Sequence, residues 1–224
     1  MKSVIVLAAA MLLAVPASAV QINEIRIDHP GTDTDEYFEL AGQPGEILDG
    51  LTYIVIGDGA AGSGVIESVT DLTGYTLLDD GLLSVHKDGT VPFCNYTEGG
   101  YDVELPMNFE NSDNVTHLLV SGFVGADGDD LDVDDDGVLD VTPWTEIIDC
   151  VALLEEVGGG DLVYCDTQVG PDGTFVPGHV LFCEGSWYIG LFDACTLDTP
   201  GEPNACDQVS AEESTWSGVK ELYR

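Results

Sequence analysis

Residues 21–40 read QINEIRIDHPGTDTDEYFEL, and the way they break in two decides the fold. Two short runs rich in Ile, Phe and Tyr, 21–27 and 36–40, flank a stretch of His, Pro, Gly, Thr and Asp. The pattern recurs as LTYIVIG from Leu51, LLSVHK from Leu82, THLLVSGF from Thr116, EIIDCVALL from Glu146, HVLFC from His179 and SWYIGLF from Ser186. Runs this short, punctuated by Gly, Asp, Pro and Asn, predict an all-β chain folded as a sandwich or barrel. EIIDCVALLEE has the length of a helix. Ile147, Ile148, Val151 and the Gly158-Gly159-Gly160 stop suit a buried strand, and we read it as one. No sequence unit repeats at a fixed period, which argues against a propeller or solenoid.

The two ends differ from this pattern. Lys2, the apolar run 4–15 and the small residues Ala17-Ser18-Ala19 read as a secretory signal covering 1–19, too short for a membrane span. The β domain is expected over 20–206. Residues 207–224 read as a polar linker and a short C-terminal helix or tail, with Trp216, Val219, Leu222 and Tyr223 on one helical face. The tail reads either as a terminal helix resting on the domain or as an address for export or surface attachment.

The chain carries 42 Asp+Glu against 5 Lys+Arg, a net charge of −37. Such a surface repels phosphate and anionic lipid, so nucleic acid and membrane surfaces are poor partners. The expected partner is an unidentified extracellular or surface molecule. A hydrophobic fraction of 44% is too high for a disordered acidic tail. The expected compartment is extracellular or the cell surface, with the periplasm as the alternative. An even set of six cysteines, none spaced C-x-x-C, points to disulfides there. Cys195 with Cys206, closing a short loop around TPGEPN, is the one pair that we single out.

The densest chemistry is the acidic insertion 127–140, DGDDLDVDDDGVLD. Calcium takes about six to eight oxygen ligands, best supplied by alternate loop positions with a glycine at the sharp turn. Asp132, Asp134 and Asp136 fall at the first, third and fifth positions, and Gly137 at the sixth. The Val138 carbonyl and Asp140 follow at the seventh and ninth. Pro143 stands where an EF-hand needs its bidentate Glu, so Glu146 or Asp149 would have to fold back as the last ligand. Asp127, Asp129 and Asp130 are available to extend the site. The ion's expected role is structural, with an affinity of about 0.1 to 1 mM as in extracellular modules. The bland alternative is a solvated acidic hairpin tip.

Three further pieces carry a resemblance. They are Ile22-Asn23-Glu24-Ile25 followed by Glu36, Phe38, Glu39 and Leu40; Leu72, Gly74, Tyr75 and Leu77; and Thr199-Pro200-Gly201 with Asn204. In this order they resemble the opening, a middle strand and the close of bacterial lamin tail domains. The resemblance brackets about 20–206. It implies an immunoglobulin-like β-sandwich and a non-catalytic binding or surface-structural module. The acidic insertion and the six cysteines are departures from that family's pattern.

Catalytic signatures are sparse. No H-E-x-x-H, G-x-S-x-G or Walker loop occurs. The glycine-rich 59–65, GAAGSGV, lacks a following Lys and reads as a flexible turn. The alternative function is a metal-dependent hydrolase, of nuclease or phosphatase type, using Glu24, Asp28 and His29 with Asp33, Asp35 and Glu36 nearby. The competing role for Asn23 and Glu24 is to satisfy backbone groups at a turn.

Overall fold

The computed structural model describes residues 20–32, 34–59, 62–89, 101–158 and 160–208. The expected signal, Asp33 and the tail from 209 onward lie outside the described residues. Eleven strands form here: β1 (Gln21–Arg26), β2 (Tyr37–Ala41), β3 (Leu51–Gly59), β4 (Gly62–Asp71), β5 (Leu82–Lys87), β6 (Val103–Leu105), β7 (Val115–Ser121), β8 (Glu146–Leu153), β9 (Gln168–Val169), β10 (His179–Cys183) and β11 (Ser186–Ile189). All eight runs read from the sequence are strands, the ambiguous β8 among them.

They build two mixed sheets, ordered β11-β10-β1-β2-β5-β6 and β4-β3-β7-β8-β9. Pairing is antiparallel except at β5–β6 and β8–β9. The main core lies between the sheets, where Phe38 of β2 stacks on Tyr53 of β3 with centroids 3.8 Å apart. Period-two alternation sends Tyr53 and Val55 inward and Ile54 and Ile56 to the outer face of the second sheet. That outer face is buried as well. Ile54, Ile56, Ile66, Leu118 and Val120 pack under Leu131 of the acidic insertion. A central strand covered on both sides has no polar face to show, which is why LTYIVIG is almost wholly apolar. A third, smaller cluster of Leu181, Cys183 and Leu197 lies where the C-terminal segment packs on β10.

Three expectations are corrected. Cys206 is bonded to Cys183 and not to Cys195, and Cys150 is bonded to Cys165; Cys195 is disulfide-bonded as well. The reason is that the TPGEPN segment folds back on β1 and β10. Asn204 donates to the carbonyls of Asn23 and Phe182, delivering Cys206 to the end of β10. The stretch Leu72 to Leu77 is no regular strand but a turn with one isolated bridge, Thr76 to Ile47. Of the expected flexible turn 59–65, the part from Gly62 onward already belongs to β4.

Candidate metal centre

The acidic insertion is docked on the edge of β4. Ile66 N donates to Asp129 O at 2.9 Å, Gly128 N to Ile66 O at 2.7 Å, and Leu131 N to Gly64 O at 3.0 Å. These bonds cover an edge that would otherwise present unpaired backbone groups. Gly62 and Gly64 make the approach feasible, at φ +128° and +86°. A Cβ on Gly64 would meet Asp132 Cβ at 2.6 Å and Tyr164 Oη at 2.9 Å, so only glycine fits. The glycine run is therefore the seat of the acidic loop.

With Leu131 buried as an anchor, Asp132 turns inward and is fully buried. Its Oδ1 accepts from Asp136 N at 3.2 Å, and its Oδ2 from Gly137 N and Tyr164 Oη, both at 2.9 Å. The chain reverses at Gly137, φ 85°. One carboxylate oxygen from each of Asp132, Asp134 and Asp136 lies within 4.8 Å of the others. The charge of Asp136 is the main cause holding the exposed Asp134 carboxyl above its usual range, with smaller contributions from Asp140 and Asp132. Three carboxylates this close, one of them locked by two amides and a phenol, are a grouping of hard oxygen donors able to hold a metal ion.

The other expected ligands are placed less directly. Asp140 is outside that trio, and its Oδ2 accepts from Val133 N at 3.0 Å, closing the loop on itself. Val138 N donates to Asp136 Oδ1 at 2.9 Å, which tightens the turn below its own carbonyl. Asp149 does not fold back. Its oxygens accept from Ile22 N at 2.8 Å and Cys150 N at 2.9 Å, tying the second sheet to the first. Asp129 and Asp130 cap turns, accepting from Ala126 N and Asp132 N. Sequence reasoning missed a second trio, Asp113, Glu155 and Asp161, because Asp113 lies 42 residues before Glu155 and only folding brings it to the other two.

Among the described residues, the hydrolase candidates of the opening segment each have partners of their own. Glu24 is fully buried, and its oxygens meet Tyr37 Oη, His179 Nε2 at 2.8 Å, Thr199 N at 2.9 Å and Thr199 Oγ1 at 2.7 Å. His29 instead accepts from Thr34 N at 3.1 Å, and Asp28 offers its carbonyl to Arg26. Asp35 accepts from Tyr101, and Glu36 pairs with Lys87 at 2.9 Å.

The opening segment at Asn23, Glu24 and Glu39 meets the closing segment at Thr199, Gly201 and Asn204. Glu24 and Glu39 face each other across β1 and β2. Asn23 Nδ2 and Gly201 N donate to Glu39 at 2.7 and 2.6 Å, while Thr199 holds Glu24 and Asn204 holds Asn23. Beside them Arg26 makes a two-point contact with Asp198 at 2.5 and 2.6 Å. Burial, and then the charge of Glu24, push the Glu39 carboxyl up to about 9. No family model, curated protein or solved structure matches this chain.

Proposed function

We propose that the chain is a secreted, non-catalytic module that binds a surface partner or builds a surface structure. In this reading it is an immunoglobulin-like β-sandwich of the lamin tail type, stapled by disulfides and held by calcium. The single observation that carries the calcium part is the convergence of Asp132, Asp134 and Asp136 around a left-handed Gly137. The Val138 carbonyl, Asp140 and water would complete the shell. The lamin tail part rests on the meeting of the opening and closing motifs at Glu24 and Glu39. The ion would offset the repulsion among the loop carboxylates and fix the cover over the second sheet.

Calorimetric titration tests the site. We expect one calcium per loop with a dissociation constant of about 0.1 to 1 mM. Asp134→Ala and Asp136→Ala together should abolish the binding heat. A titration that is flat for the parent chain, or unchanged in the double variant, overturns the assignment.

A further inference from the structure

The two sheets touch along one flank, where the edge strands β11 and β9 come together. A cleft of about 340 Å³ opens there, between the start of β1, the middle of β8 and the β10–β11 hairpin. Trp187 contributes a half-buried indole, set edge-to-face against Phe182 with centroids 5.5 Å apart. Among the described residues the lining also includes the amide residues Gln21 and Gln168, the hydroxyl residues Thr167 and Ser186, and a single acid, Asp149. We infer that this cleft binds a neutral saccharide.

The chemistry of the lining selects that class. Among the described residues no Lys or Arg lines the cleft, so a phosphate, sulfate or uronate would find no counter-charge there and would face a chain of net charge −37. A cationic ligand would be drawn by the net charge anywhere on this surface, and in the cleft it would meet a single acid, Asp149, whose two oxygens already accept from backbone amides of β1 and β8. A wholly apolar ligand would strip water from carboxamides and hydroxyls without replacing its hydrogen bonds. A sugar ring has hydroxyls that both donate and accept, matched by side chains with the same double capacity. It also has a C–H face that packs on an indole. The volume is at the small end of the roughly 300 to 1,000 Å³ usual for ligand pockets, the size for a short oligomer's terminal units. A second cleft of about 470 Å³ shares Cys150 and Gln168 with the first and continues to Val138 and Leu139. It gives further sugar units a path toward the acidic loop.

This inference names a ligand for the binding-module reading. It does not depend on the calcium titration, because none of the three converging aspartates lines the first cleft. The test is calorimetric titration of the full chain with neutral gluco-, manno-, galacto- and N-acetylglucosamine oligosaccharides. A sulfated oligosaccharide and spermidine are the charged controls. We expect at least one neutral series to bind. Trp187→Ala and Gln168→Ala should each weaken it about tenfold, roughly 1.4 kcal/mol. Gln168 is exposed, so its variant should melt as the parent does and keeps the test informative if Trp187→Ala fails to fold. Absence of binding by every neutral series at millimolar concentration overturns the inference. So does binding of the charged controls alone, or binding that Gln168→Ala leaves unchanged.

Discussion

Glu39 is the carboxyl that most strongly couples this fold to alkaline pH. Its folded value, about 9, lies above the ordinary 4.5, so the folded chain holds that proton more tightly than the unfolded chain does. The stability it contributes is complete below about 4.5 and is lost as pH rises toward about 9. Glu67, pushed up to about 7 by burial and by Glu110, Asp113 and Asp58, acts with the same sign. His117 acts in the opposite sense. Burial pushes its imidazole down to about 3, so its contribution is full above about 6.5 and is lost as pH falls. We expect the melting temperature to fall from about pH 6 to about pH 10 and Glu39→Gln to flatten that fall. The variant should melt lower than the parent at pH 6, because a carboxamide sets an N–H against either Asn23 Nδ2 or Gly201 N. A parent profile level across that range contradicts the assignment. Asp198→Ala should cost about 3 kcal/mol in urea unfolding, because it removes the buried carboxylate that meets the Arg26 guanidinium at two points.

At the scale of elements, the acidic insertion doubles as a lid over the second sheet and as the partner of the β4 edge. Gly64→Ala should therefore lower stability and weaken calcium binding together, since its Cβ collides with the Asp132 and Tyr164 that shape the site. Calorimetry and melting on that one variant check both effects; loss of either alone would uncouple lid from site. Much of this was legible in the sequence. Eight apolar runs marked eight strands, and alternate aspartates before Gly137 marked the loop. What escaped reading was set by tertiary partners. β4 was hidden because Gly62 and Gly64 look like a turn until the loop that needs them is present. Asp149 was free to be a ligand until β1 placed the Ile22 amide against it. Cys206 found Cys183 because the TPGEPN segment folds back onto β10, a distance that spacing along the chain does not encode.

On the scale of the whole molecule, 42 acidic side chains confront 5 basic ones, and folding concentrates that charge. Self-repulsion of this size favours covalent closure and bound cations. Removing the disulfide between Cys183 and Cys206, separated by 23 residues, should cost about 3 kcal/mol, seen as a lower urea midpoint. No helix among the described residues is long and apolar enough to cross a membrane. In the proposed reading, calcium at the 127–140 loop helps to hold this acidic sandwich together. Thermal melting in saturating calcium and in chelator, at matched ionic strength, tests it most directly. Saturation at about 10 to 100 times the dissociation constant should add about 1.4 to 2.7 kcal/mol. For a chain of this length that is a rise of roughly 3 to 10 °C, absent from the Asp134→Ala, Asp136→Ala double variant. Identical midpoints with and without calcium would rule out a structural ion at the loop.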